Sequence, residues 1–324
     1  MNGRLERELK AEERMNKKLS SLPSIFTEFY YSMRASKKSY TTMDTYINYV
    51  KNFMEFITEN KIVDDFYKHV TSTDIEHYMI SLETRKIKGQ IIRTGDSIQA
   101  TRWSALNTFF VFLVNKKEYI LKNPMVKVER PKVNVEHKVV YMTKSEIKKV
   151  KNEIDHCTHK NAMRDKTIVG LALATGLRVS ALIQINIEDI DFDNNIIRVI
   201  EKRQKTREIP FGENTKQLLK EWIEYRNKTY KDVSTTALFL SQKRNRISDD
   251  MVANLLKKYT VGINKHITPH KLRSTTATNL IKSGTPVTTV AKILGHDSIQ
   301  TTMGYVGALN EETEKAIQNL DNVF

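Results

Sequence analysis

The chain has 324 residues, with 53 Lys and Arg against 38 Asp and Glu, a net charge of +15. That length suits two domains, each able to bury its own core, and the charge fits a polyanionic partner as well as it fits a plain basic surface. A single cysteine, Cys157, excludes an intrachain disulfide, and no apolar run approaches the roughly 20 residues needed to span a bilayer.

Residues 1 to 23 form an N-terminal extension whose first 20 residues, MNGRLERELKAEERMNKKLS, are too charged for a secretory signal. They read as a solvated helix or frayed arm of a cytoplasmic protein with no membrane partner. From Ser24 apolar positions recur at three and four: Ile25, Phe26, Phe29 and Tyr30, then Tyr46, Val50, Phe53, Met54 and Ile57, then Ile75, Tyr78, Met79 and Leu82. A further helix begins near Ser97, a plausible N-cap, and runs through Trp103, Leu106, Phe109, Phe110 and Phe112 to Leu113. Residues 24–116 are therefore expected to form a helical bundle whose helically spaced aromatics are core, not base-stacking platforms.

Polar residues on this bundle carry candidate phosphate contacts. Ser36, Lys37, Lys38, Ser39, Tyr40 and Thr41 precede one helix, and Arg85, Lys86, Lys88, Arg93 and Arg102 lie in or beside a glycine-containing loop. Residues 117–140 lose the helical period and contain Pro124 and Pro131, marking a linker. From Lys116 to Lys132 it holds five lysines and one arginine, a basic strap for a DNA backbone.

A second domain spans residues 141–324 and opens on Thr143 and Glu146, a capping box. The apolar run Thr167 to Leu173 leads to Gly176 and then Arg178, at the start of a helix whose amides and dipole add to the arginine. DIDFDNNIIRVIEKRQKTREIPF alternates around turns at Asp193 to Asn195 and Lys202 to Lys205, predicting two or three short antiparallel strands. HKLRSTTATNLIKSG and TPVTTVAKILGH read as two helices broken at Ser283 and Gly284. Residues 309–324 form a tail with apolar Ala316, Ile317, Leu320 and Val323, capped by Asn310.

Arg178, His270, Arg273, His296 and Tyr305 together are what phosphodiester cleavage needs without a metal. Arginines fork onto non-bridging oxygens, histidines add hydrogen bonds, and a tyrosine hydroxyl supplies the nucleophile. No P-loop and no carboxylate cluster with metal-ligand spacing accompanies them. His156, Cys157 and His159 lack a second ligand pair and read as a helix surface, so neither metal nor cofactor is expected.

These segments resemble the tyrosine recombinase, or phage integrase, family. The resemblance rests on ATGLRVS around Arg178, the IRVIEKRQKTREIP hairpin, HKLRST, and LGHDSIQTTMGYVG through Tyr305. The separations of 23 residues from Arg273 to His296 and nine to Tyr305 look like the Xer branch. It implies a mainly α, α+β fold: a SAM-like core-binding bundle and a mixed catalytic domain with a small antiparallel sheet, clamping double-stranded DNA.

By the same resemblance Tyr305 attacks to give a 3′-phosphotyrosyl bond, and Arg178 and Arg273 hold the phosphate. His270 and His296 donate to it, and His270 is also the candidate acceptor of the tyrosine proton. Lys202, 24 residues after Arg178, matches the general acid, with Lys205 its neighbour and competitor. A tetramer on DNA is implied, each tail helix docking on a neighbouring protomer, with any accessory protein unidentified. One position departs from the family: the third residue after Arg178, commonly acidic, is Ala181, leaving Glu188 or Asp189 as substitutes. Two other functions fit parts of the pattern. A repressor-like DNA-binding protein would use the helices at 274–296, and a type IB topoisomerase-like enzyme would relax DNA without exchanging strands.

Overall fold

A computed structural model describes residues 3–61, 63–87, 89–133, 139–200, 206–231 and 233–307. The chain divides into two compact units, Met1–Glu136 and His137–Phe324. No described helix is long and apolar enough to cross a membrane.

The first unit is a bundle of α1 (Gly3–Leu19), α2 (Ser24–Ala35), α3 (Tyr40–Ile57), α4 (Ser72–Ser81) and α5 (Asp96–Asn115). Its core is aromatic, as the spacing predicts: Phe26, Phe29, Phe53, Phe109 and Phe110 are fully buried. Phe66 and Phe109 stack with ring centroids 5.8 Å apart. Three expectations need correction. α1 is no free arm, because Met15 and Leu19 are buried in this core and Lys18 bonds Asp44 and Asn48. The last helix begins at Asp96 with Gly95 as its N-cap, two residues ahead of the expected cap Ser97.

The third correction concerns the basic loop. Its backbone forms a two-stranded antiparallel ribbon, β1 (Thr84–Ile87) and β2 (Gln90–Arg93), paired from Thr84↔Arg93 to Ile87↔Gln90. All four residues of β2 are exposed, so no alternation of polar and apolar residues marks it. The early part of the expected linker also packs. A 3-10 turn at Pro124–Lys127 buries Met125, and the Trp103 indole Nε1 donates to Val128 O at 3.0 Å.

The second unit is built round α7 (Ala162–Thr175), flanked by α6 (Lys144–Asp155), α9 (Glu213–Thr229) and α11 (Pro269–Lys282). Between these lie α8 (Val179–Leu182), β3 (Ile190–Asp191), β4 (Ile196–Ile200), β5 (Thr206–Pro210) and α10 (Asp249–Tyr259). α12 (Val287–Leu294) and α13 (Ile299–Met303) follow α11. The capping box is present, with the Thr143 hydroxyl accepting from Glu146 N and the Glu146 carboxylate accepting from Thr143 N. The sheet order is β3-β4-β5, with Ile197 opposite Ile209 and both side chains buried. Trp222 is fully buried and donates through Nε1 to Leu238 O at 2.9 Å.

α11 is buried despite its polarity. Leu272 to Thr278 are all shielded, and hydroxyls satisfy backbone groups nearby. Thr275 Oγ1 accepts from Met142 N at 3.0 Å, and Thr276 Oγ1 donates to Leu173 O at 2.9 Å. A helix packed this way has no free face at residues 272–278 to read a DNA groove, which counts against the repressor-like alternative on α11.

Candidate active site

Two left-handed glycines aim the catalytic candidates. α7 ends at Gly176 (φ 61), two residues before Arg178, and α12 ends at Gly295 (φ 64), one residue before His296. The turn after α12 is a Schellman motif: His296 N donates to Ala291 O at 3.0 Å and Gly295 N to Lys292 O at 3.1 Å. Gly176 is further constrained by packing, since a Cβ there would lie 2.6 Å from Leu294 Cδ2. The two glycine turns thus touch, bringing residues 178 and 296 to one place.

Arginines converge on the end of α12. Arg273 is only 2% exposed, and its Nη1 donates to Gly176 O at 2.9 Å while Nη2 donates to Leu294 O at 2.6 Å. Arg178 is half-buried and its Nη2 donates to Gly295 O at 3.4 Å. Arg207, on β5, donates through Nη1 to Lys292 O at 3.1 Å and Ile293 O at 2.6 Å. Carbonyls at a helix C-terminus lack intrahelical partners and carry the negative end of the dipole, so guanidinium groups settle there. Arg207 was missed in the sequence because a single arginine in a basic hairpin looks solvated; only the fold brings it to α12.

His296 is half-buried, with Nδ1 2.7 Å from Thr302 Oγ1. Burial, then the charges of Arg273, Arg178, His270 and Arg207, push its pKa down to about 4. The ring is therefore neutral near pH 7. In the tautomer where Nδ1 accepts from Thr302 Oγ1, Nε2 keeps its proton and is a donor. His270 sits in the first turn of α11 with an exposed edge. Desolvation by the surrounding protein, then Arg273 and Arg178, hold its pKa below the ordinary value. Both histidines sense both arginines, so these four groups share one site.

Tyr305 completes it. Its ring is 7% exposed, packs with Ala277, Ile281, Val290 and Leu294, and lies offset-parallel to His296 with centroids 6.2 Å apart. The backbone that presents it is the turn closing α13, where Tyr305 N donates to Thr302 O at 3.0 Å. Thr302 therefore orients both the histidine and the tyrosine.

Other expectations resolve differently. Arg178 is the N-cap of α8, a helix of only four residues, so little dipole supports it. Ala181 is buried on α8. Glu188 accepts from Thr236 Oγ1 at 3.4 Å, on a distant segment, and Asp189 accepts from Asn186 N at 2.7 Å within its own turn. Lys202, Lys205 and the tail 309–324 lie outside the described residues. His159 is tied into a polar cluster: Nδ1 accepts from Asn161 N, and Nε2 lies 2.8 Å from Tyr259 Oη.

The candidate DNA contacts of the first unit are mixed. Lys37 and Lys132 are exposed, and Lys38 is half-buried with its ammonium 5.5 Å from the Tyr46 ring centre. Tyr40 donates to Glu12 Oε2 at 3.4 Å, and burial helps push its pKa up to about 12. Arg102 donates to Leu82 O at 3.4 Å and stacks on Tyr49, so Tyr40 and Arg102 already serve their own bundle. Arg85 and Lys86 belong to β1, and Lys88 lies outside the described residues.

A helical unit and a mixed unit, with Arg178, Arg273 and His296 at one helix end, Tyr305 against His296, and His270 within reach of both arginines' charge, have the make-up of a tyrosine-type DNA strand transferase. The description "Phage integrase family" matches residues 140–312, and "Phage integrase, N-terminal SAM-like domain" matches residues 25–118. Tyrosine recombinase XerD of Staphylococcus epidermidis is 30% identical over 86% of this chain and 91% of its own length. Tyrosine recombinase XerS of Streptococcus gordonii is 28% identical over 95% and 98%. The fold matches that of XerH site-specific recombinase bound to palindromic difH substrate in a post-cleavage complex. Their TM-score is 0.68 at 20% identity, covering 89% of this chain and 82% of that one. It also matches the Tn1549 transposon integrase in complex with a circular intermediate DNA, with a TM-score of 0.65 at 19% identity over 91% and 100%. This chain belongs to the phage integrase family and is a site-specific tyrosine recombinase.

Proposed function

We propose that this recombinase cuts and rejoins double-stranded DNA through Tyr305, with Arg178, Arg273, His296 and His270 holding the scissile phosphate and Lys202 protonating the leaving group. The convergence of the two arginines and His296 on the last turn of α12, beside the Tyr305 ring, carries this reading. Tyrosine oxygen forms a bond to phosphorus as the bond to the 5′ oxygen breaks. The phenol proton passes to neutral His270, and the Lys202 ammonium supplies the proton for the departing 5′ oxygen. Guanidinium groups match the charge that builds on the non-bridging oxygens, which is the electrostatic work a metal performs elsewhere.

The phosphotyrosine conserves the energy of the broken bond, so a second 5′ hydroxyl reverses the step without ATP. Residues 309–324 are the segment by which protomers would link into a tetramer on DNA in the cytoplasm. The near-full-length similarity to Xer enzymes supports resolution of chromosome or plasmid multimers, and the transposon-integrase fold supports movement of a mobile element. A plasmid carrying two copies of a site recovered by selection for bound sequences tests the function. Tyr305-dependent exchange between the sites is expected; relaxation of supercoils with no exchange would indicate the topoisomerase-like activity instead.

A further inference from the structure

We infer that Arg207 is a positioning residue of this active site: from strand β5 it clamps the last turn of α12 and thereby sets where His296 meets the phosphate. The inference rests on the reading of His296 as a phosphate ligand.

Four successive carbonyls close α12, and each accepts from an arginine. Lys292 O and Ile293 O take Arg207, Leu294 O takes Arg273, and Gly295 O takes Arg178. Two of these arginines come from the proposed phosphate clamp, and the third comes from the hairpin. Arg207 supplies half of the cap on the turn that carries His296. A half-buried guanidinium that donates to two adjacent carbonyls fixes the helix end against rotation, because both acceptors must move together.

The same residue couples two parts of the chemistry. Arg207 stands five positions after Lys202 in the sequence, on the strand leaving the hairpin turn. Its hydrogen bonds therefore tie the strand that leads to the proposed general acid to the helix that presents His296. Misplacing a catalytic group by about 1 Å costs roughly 100-fold in rate, so a loosened helix end should appear in the chemical step first. DNA affinity should change little, since Arg207 is placed on carbonyls of its own chain and not on the DNA.

The charge of Arg207 also reaches His296, alongside Arg273, Arg178 and His270. Thr302 and Tyr305 are the other groups against that ring. Removing Arg207 should therefore raise the titration midpoint of His296, an effect that a purely structural role would leave untouched.

The test compares Arg207→Ala, Arg207→Gln and Arg207→Lys in the full-length chain, on a nicked DNA carrying a selected site. Single-turnover cleavage, DNA affinity and the NMR titration of His296 are read together. Cleavage is expected to fall by roughly 100-fold in the Ala and Gln variants, with affinity within about threefold and the His296 midpoint raised. Lys, which keeps one donor and the charge, should recover most of the rate and the low midpoint. Equal cleavage by all variants, or loss of affinity in parallel with rate, would overturn the inference, as would an unmoved His296 midpoint. If Ala fails to fold, the Gln and Lys pair decides. A wild-type enzyme that fails to cleave would count against the recombinase chemistry itself, a different result from wild-type cleavage that ignores Arg207.

Discussion

Gly176→Ala probes the junction on which the site is built. Gly176 holds φ at 61, and an added Cβ would meet Leu294 Cδ2 at 2.6 Å and Thr276 Cγ2 at 3.3 Å. The left-handed backbone costs a residue with a Cβ about 1 kcal/mol, and forcing a methyl into packed surroundings adds about 1–3 kcal/mol. The variant should lose about 2–4 kcal/mol, which for a unit of this size lowers its melting temperature by roughly 4–16 °C. Gly176 O and Leu294 O are also the acceptors of Arg273, so cleavage should fall with stability.

The chain has two tryptophans, Trp103 in the first unit and Trp222 in the second. In a Trp103→Phe background, urea unfolding followed by Trp222 fluorescence reports the second unit alone. Gly262→Ala is the control, since nothing lies within 4 Å of a Cβ there, and it should stay within about 0.5 kcal/mol. A Gly176→Ala loss below about 1 kcal/mol, or equal to that of the control, would refute the close-contact argument.

Further outcomes are expected. His296 has a folded pKa of about 4 against an ordinary 6.5. Between those values the unfolded chain binds a proton that the folded chain refuses, so stability should fall as pH drops through that window, by about 3 kcal/mol at most. The His296 ring of DNA-free protein should titrate near 4 by NMR; a midpoint near 6.5 would contradict the buried, arginine-ringed site. Lys202→Ala should slow cleavage of ordinary DNA yet leave cleavage nearly unchanged when sulfur replaces the 5′ bridging oxygen, because a thiolate leaves without a proton. Equal slowing on both substrates, or the bypass appearing with Lys205→Ala instead, would remove Lys202 as the acid.

Much of this architecture was legible in the sequence, and the exceptions share physical causes. Helices with one apolar stripe, such as α3, and the Thr143 capping box follow from local rules. So does the β4-β5 pair, where Ile197, Val199 and Ile209 alternate with exposed residues. The β1-β2 ribbon escaped because β2 is exposed throughout, leaving no period to read. α1 looked solvated because, among its residues whose side chains are described, Met15 and Leu19, both near its end, are the buried ones. A second hidden element is the buried Arg164–Asp165 pair, whose guanidinium also donates to Leu240 O at 2.8 Å. Adjacent charges in a sequence read as surface, and only their distant partners make them core.

The site itself divides the same way. Arg178, Arg273, His296 and Tyr305 could be singled out as a set because their residue types together suit one chemistry, and the fold places them side by side. Arg207 and Thr302 could not, since each acts on a neighbour through a contact that only folding creates.

The covalent step is most directly tested by trapping the enzyme on a nicked DNA site, digesting the complex with protease and sequencing the nucleotide-bearing peptide by mass spectrometry. The peptide containing Tyr305, joined through its phenolic oxygen to a 3′ phosphate, is the expected product. A nucleotide on any other residue, or a 5′ linkage, would contradict the mechanism.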